Sequence, residues 1–223
     1  MTSIARLHVR PVSMRHSVVA AIRHALMQGR FQPGEALADV VLAAEMGISR
    51  GPVREALLVL AEEGLVVHQQ NRGFSVLRFT KEDLRQVQQV RAPLEILALE
   101  LARGQMGAGQ LDELERLTDD LCACFRKSDA VEALRCDREF HQLIWSSTGN
   151  PRLFATLRTL TAAYFTYGFA FQLGREDLSE ALIERQHRMY VDFLRNRITA
   201  TARECVAMHI TVEPAGRADA CQP

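Results

Sequence analysis

The feature that most restricts how this chain can fold is the break Gly47-Ile48-Ser49, which separates two stretches of helical periodicity. The pattern before it, from about Asp39 to Glu45, is barely two turns long. The pattern after it starts from Ser49 as a natural N-cap and runs to about Glu63, with Pro52 tolerated because it falls in the first turn. A chain that stops a helix at a glycine and restarts one two residues later folds back on itself as a helix-turn-helix. On the second helix Val53, Ala56, Leu57 and Leu60 form the inward stripe, while Arg50 and Arg54 lie four residues apart on the other face. In DNA-reading units of this kind the N-terminal end of the second helix enters the major groove, and its dipole and free N–H groups favour phosphate. The planar arginine fork matches guanine and phosphate in two-point contact. Gly51 lets the backbone come close to a partner.

The flanking residues complete a compact unit. A first helix is expected from about Arg15 to Met27, with Val18, Val19, Ile22 and Leu26 on one face and Gly29 ending it. Phe31-Gln32-Pro33-Gly34 reads as a turn. After Gly64, Leu65-Val66-Val67 and Phe74-Ser75-Val76-Leu77 read as two short strands around the turn Asn71-Arg72-Gly73, the only strand patterning in the chain. Arg72 and Gly73 at the hairpin tip fit a wing that reaches an adjacent groove or the backbone. Residues 1–79 carry nine Arg and six acids, a net of +3, and the remainder carries 18 basic and 21 acidic residues, a net of −3. The basic part is the side suited to phosphate.

Thr80 with Asp83 resembles a capping box and opens a second domain. Helical patterns cover roughly 81–104, 109–127, 129–146, 151–173, 177–195 and 199–212, broken at Gly107-Ala108-Gly109, at Gly149-Asn150-Pro151 and at Gly174. Six helices without a strand predict an all-α antiparallel bundle over 80–213, and residues 214–223 read as a disordered tail. The fold class is therefore mostly α: an N-terminal winged helix-turn-helix with a small β-hairpin wing, then a helical bundle. The longest uncharged run, Thr159 to Gly174, is too short and too rich in Thr and Tyr to span a bilayer, so it reads as a buried helix and no membrane partner is expected. The N-terminus has no apolar core of a signal peptide. Five cysteines with no CxxC pair fit a reduced, cytoplasmic compartment, with the thiols as small buried apolar groups.

Only three histidines lie beyond residue 80. Asp137 precedes His141 by four residues, so carboxylate and imidazole share a helix face. His187 and His209 are equidistant from Ile198, just past the polar turn Arg195-Asn196-Arg197, and residues equidistant from the turn of a helical hairpin lie level. Both imidazoles can point to one place, where the Asp137/His141 face can complete the set. One Asp and three His suit Zn²⁺ or another divalent transition metal, Ni²⁺ or Mn²⁺.

The stretch Ser49 to Leu57, followed by Leu60-Ala61-Glu62-Glu63-Gly64-Leu65-Val66 and then Arg72-Gly73, closely resembles the winged-helix domain of the GntR family. The resemblance implies that Arg50 and Arg54 make the main contacts to a double-stranded DNA operator, with Gly73 in the wing. The position of Gly51 is often Thr in relatives, so a hydroxyl contact to phosphate is missing. Residues 80–212 resemble the C-terminal helical (FCD) domain of the FadR subfamily, in the six-helix form of its VanR-like members. Arg91-Ala92-Pro93-Leu94-Glu95, Asp137-Arg138-Glu139-Phe140-His141, Gly149-Asn150-Pro151 and the paired placement of His187 and His209 carry that likeness. It implies a divalent metal held by the Asp and three His, with a small organic acid effector completing the coordination. Arg91 either meets an effector carboxylate or pairs with Glu95 one turn on; Asn150 either contacts the effector or caps a helix. A homodimer on a pseudo-palindrome is expected, because one recognition helix reads too few base pairs. The leading reading is a metabolite-responsive repressor. Its rivals are a regulator with a purely structural metal and a hydrophobic effector among the aromatics of 154–171, and a metal-dependent hydrolase, which would leave the DNA-reading helix unexplained.

Overall fold

The computed structural model describes residues 12–70, 72–168 and 179–210, which divide between Arg78 and Phe79 into two compact units. Asn71 of the expected wing turn, Phe169 and Phe171, the stop at Gly174, the ends of the adjoining helical patterns, Cys221 and the tail 214–223 lie outside the described residues.

In the first unit α1 (Val12–Met27) packs on α3 (Arg50–Glu62) through the expected stripe of Val18, Val19, Ile22 and Leu26 against Val53, Ala56, Leu57 and Leu60. α2 (Asp39–Met46) also packs against α3 and buries Leu42 and Ala43. Gly47 ends α2 at φ 65°, a left-handed conformation open to glycine at no steric cost, and its N–H returns to the carbonyls of Ala43 and Ala44. Ser49 occupies the N-cap of α3 with extended backbone, but its hydroxyl makes no capping hydrogen bond. Ser49 thus holds the expected N-cap place through its backbone direction, without the side-chain bond that usually accompanies it.

The sheet has one strand more than expected. β2 (Val66–Gln69) and β3 (Gly73–Val76) form the antiparallel wing with Val66 opposite Val76 and Gln69 opposite Gly73, and the short β1 (Ala36–Leu37) pairs with the other edge of β3. Two residues carry too little alternation to show in a sequence. Leu37, Leu65, Val66, Phe74 and Val76 bury this sheet against the helices.

The second unit is built from α4 (Lys81–Ala102), α5 (Ala108–Arg126), α6 (Ala130–Ser146), α7 (Pro151–Leu160), α8 (Glu180–Leu194) and α9 (Ala202–His209). The capping box at the start of α4 is formed, with the Asp83 N–H donating to Thr80 Oγ1 and the Thr80 N–H to Asp83. The pattern over 151–173 does not make one helix: α7 stops at Leu160 and a π-helical turn, Tyr164–Gly168, follows. The Thr161 hydroxyl donates to Leu157 O and the Thr166 hydroxyl to Ala162 O, back-bonds that bend a helix where they compete with its own ladder. Trp145, Phe140, Tyr190, Leu99, Leu114 and Ile144 fill the core. None of the described helices is long and apolar enough to cross a membrane.

Candidate metal centre and nucleic-acid interface

Four helical side chains converge in the second unit. α6 supplies Asp137 and His141, one turn apart; α8 supplies His187 and α9 supplies His209. The hairpin between α8 and α9 turns at Asn196, whose φ of 57° is a left-handed conformation that Asn tolerates. Asn196 Oδ1 accepts from Arg103 Nε at 2.7 Å, and Arg195 and Arg197 pair with Glu115 of α5. The connection between the two helices, Arg195 to Thr201, is centred on Ile198, from which His187 and His209 are equally distant, and the two imidazoles meet across the hairpin. One ligand atom from each of the four residues lies within 4.8 Å of the others, the one such group of four among the described residues.

The protons available do not satisfy these atoms. His187 Nδ1 is 2.8 Å from the carbonyl of Ile183, which only accepts, so Nδ1 carries hydrogen and donates. In the neutral ring Nε2 is then a lone pair, and it faces Asp137 Oδ1 at 3.0 Å, another acceptor. Two lone pairs at that distance repel unless a proton or a metal cation lies between them. His141 Nε2 and His209 Nε2 approach to 2.8 Å, where only one can hold hydrogen. His209 Nδ1 is sealed from solvent without a partner. Burial, reinforced for His209 by the two other imidazoles and for His141 by Arg91, pushes both rings below the ordinary histidine value, so they are neutral donors at pH 7. Burial opposes ionisation of Asp137, yet its contact with His187 and the positive charge of Arg91 hold its carboxyl below the usual range. One carboxylate and three imidazoles, with His209 half-buried and the other three residues buried, brought together with lone pairs opposed, fit a divalent cation.

Behind these residues stands Glu95 of α4, fully buried. Its Oε2 accepts from Trp145 Nε1 at 3.0 Å and its Oε1 from Arg91 Nε at 3.0 Å, and His141 Nδ1 lies 3.2 Å from Oε1, in ion-pair range though poorly aligned. Burial alone would raise this carboxyl; its interactions with His141 and Arg91 outweigh that and bring the group down to about 2. Such a carboxylate behind a ligating imidazole fixes the ring's tautomer and orientation.

Arg91 is as deeply buried as Glu95, with its guanidinium over the rings of Tyr164 and Phe165 at 4.8 and 5.3 Å from their centroids. Its Nη2 also lies 3.0 Å from Glu95, but no N–H there meets an aligned acceptor, and the Tyr190 hydroxyl and Gln88 Oε1 are buried without hydrogen-bond partners as well. Asn150 Oδ1 accepts from the N–H groups of Arg152 and Leu153 at 3.1 Å each, which commits it to the start of α7. The sequence offered no link from Glu95 or Tyr190 to the histidines; Glu95 stood out only as a neighbour of Arg91.

In the first unit Arg50 and Arg54 stand on the exposed face of α3, their side chains 64% and 56% exposed. A Cβ added to Gly51 would meet nothing within 4 Å, so the fold itself does not demand glycine there. Arg72 and Gly73 are exposed where the wing turns, the Arg72 N–H donating to Gln69 O at 3.0 Å.

Known proteins resemble both units. Residues 86–212, over half the chain, match the FCD domain family, and residues 14–76 match the family described as bacterial regulatory proteins, gntR family. The Nta operon transcriptional regulator of Aminobacter aminovorans is 32% identical over 81% of this chain and 83% of its own length. An uncharacterized HTH-type transcriptional regulator, YdhC of Bacillus subtilis, is 28% identical over 84% of each. The solved structure of E. coli McbR/YncC superposes with a TM-score of 0.72 at 26% identity, covering 89% of this chain and 94% of that one.

Proposed function

Because the chain belongs to the GntR family of bacterial regulatory proteins and carries an FCD domain, we propose that it is a repressor governed by a divalent metal and a small carboxylate effector. Membership makes it a DNA-binding transcription regulator and not an enzyme, which removes the hydrolase reading. The observation that carries the effector reading is the convergence of Asp137, His141, His187 and His209 with their lone pairs opposed. These four residues would hold the metal; the donor set, all nitrogen and oxygen, suits Zn²⁺ first and Ni²⁺ or Mn²⁺ after it. A bound metal supplies Lewis acidity that attracts a carboxylate. Arg91 supplies a fixed positive charge whose Nη2 lacks an aligned acceptor, so it serves as the second anchor for that carboxylate. Asn150 spends its Oδ1 on capping α7, which supports the capping reading of this residue over the effector contact.

Arg50, Gly51 and Arg54, flanked by Ser49 and the wing residues Arg72 and Gly73, form the operator-reading surface. A second copy of the chain completes the reading of a two-fold site. Exposed Val90, Leu97 and Leu101 make an apolar stripe on α4 that such a copy can cover. Duplexes selected by the purified protein from a random pool test the whole scheme. Elemental analysis of protein prepared without chelator should find one metal per chain, and carboxylic acids should release the selected duplex only from the metal-loaded form. Protein free of metal and indifferent to added Zn²⁺, Ni²⁺ and Mn²⁺ would leave the four residues as core side chains.

A further inference from the structure

Both reading arginines are tied to one carboxylate. Arg50 Nη2 donates to Asp39 Oδ1 at 3.0 Å and approaches Oδ2 at 3.3 Å, and Arg54 Nη1 lies 3.6 Å from Oδ2. Asp39 is the first residue of α2, where a negative charge is favoured by the helix dipole, and its side chain is only 13% exposed. The anchor is thus fixed by its helix while the two side chains it holds are mobile by nature and repel each other one turn apart. Arg54 has a second restraint in the ring of Phe74, 5.8 Å from its guanidinium carbon, on the wing strand β3.

We propose that Asp39 is the positioning residue of the DNA-reading surface, holding Arg50 and Arg54 in one arrangement suited to bases and withholding a unit of positive charge from indiscriminate phosphate contact. The inference rests on the operator-reading role assigned to these arginines. A carboxylate at this place does two things at once. It lowers the conformational entropy lost when the forks meet base edges, which favours the correct sequence. It also reduces the net charge of the face, which weakens the salt-dependent binding that any duplex receives. Both effects enlarge the difference between selected and arbitrary DNA.

The test compares wild type, Asp39→Asn, Asp39→Glu and Arg50→Ala on two probes: a duplex selected by the wild-type protein from a random pool, and a scrambled duplex of the same composition. Affinities are taken across a salt series, and circular dichroism melting checks each fold. Asp39→Asn keeps the side-chain size but frees the arginines. Its ratio of selected to scrambled affinity should fall about tenfold, near the low end of the discrimination carried by one two-point base contact. The slope of log affinity against log salt on scrambled DNA should steepen by about 0.9, one further phosphate neutralised. Asp39→Glu restores the charge and should recover most of both. An unchanged ratio and slope in Asp39→Asn overturns the proposal, and so does equal failure of Asn and Glu, which would assign Asp39 to helix stability alone. Arg50→Ala separates the layers: wild-type binding of the selected duplex by that variant would defeat the reading role itself, whereas its loss beside an unaffected Asp39→Asn defeats only the positioning role.

Discussion

Replacing Glu95 by Gln removes the charge on which three buried groups depend. Glu95 is sealed in the core, accepts from Arg91 and Trp145, and faces the Nδ1 of His141. The amide fills the same volume, but its NH₂ group points a donor at one of these donors, and the Arg91 guanidinium is left buried without a counter-charge. Breaking a buried pair in this way costs about 3–5 kcal/mol, because the remaining ion stays desolvated. For a unit of this size each kcal/mol lowers Tm by about 2–4 °C, so the variant should melt roughly 6–20 °C below wild type by circular dichroism. The loss should reach the metal as well. With His141 no longer oriented from behind, affinity for added Zn²⁺ should drop about 10–100-fold in competition with a chromophoric chelator. Arg91→Met combined with Glu95→Gln removes both charges of the pair, so neither is left buried without the other, and should regain much of the melting temperature but not the metal affinity. A single variant that melts within 2 °C of wild type (below the ~6 °C expected) and binds Zn²⁺ unchanged would refute the reasoning.

Further outcomes follow from the same geometry. Arg54→Ala should lose about 1–3 kcal/mol of affinity for a selected duplex in a fluorescence titration while melting as wild type does. Chelation should lower Tm, since metal present at 100 times its Kd contributes about 2.7 kcal/mol, and His187→Ala should abolish that difference while retaining DNA binding. Because His141 and His209 have folded values below their unfolded 6.5, the unfolded chain takes up protons first as pH falls. Stability of the metal-free protein should therefore be full above about pH 6.5 and decline below it, and a pH series of melting curves that is flat from 7 to 5 contradicts the assignment. Asn150→Ala should cost about 0.5–2 kcal/mol in urea unfolding and leave the effector response intact, as a cap would and a ligand contact would not. Light scattering should find a dimer both free and on DNA; a monomer in both states removes the role given to the α4 stripe.

What the sequence made legible was local or symmetric. Thr80 and Asp83 satisfy each other across three residues, and the stop at Gly47 is set by one dihedral angle. His187 and His209 met because equal distances from a turn translate into equal heights on a hairpin. Arg91 with Glu95, one turn apart, was visible as a pair, but no periodicity joins Glu95 to His141, 46 positions on, or Asp39 to Arg50, 11 on. Those contacts come from packing of separate helices. The π-helical turn at Tyr164–Gly168 was hidden for another reason: its apolar and aromatic residues are equally compatible with an ordinary buried helix, and the threonine back-bonds that accompany the change leave no periodic signal. β1 gained its identity only from the partner strand.

The absence of sulfur from the group Asp137, His141, His187 and His209 has a consequence for life under oxidants. A thiolate-held metal is lost when peroxide converts its ligands to sulfenate or disulfide. Imidazole and carboxylate do not react in that way. Of the cysteines nearby, burial raises Cys122 and Cys205 to about 11 and Cys136, next to Asp137 in sequence, to about 12, so at neutral pH they remain protonated and poorly nucleophilic. A metal held by this group would stay bound under oxidation that strips metal from thiolate sites.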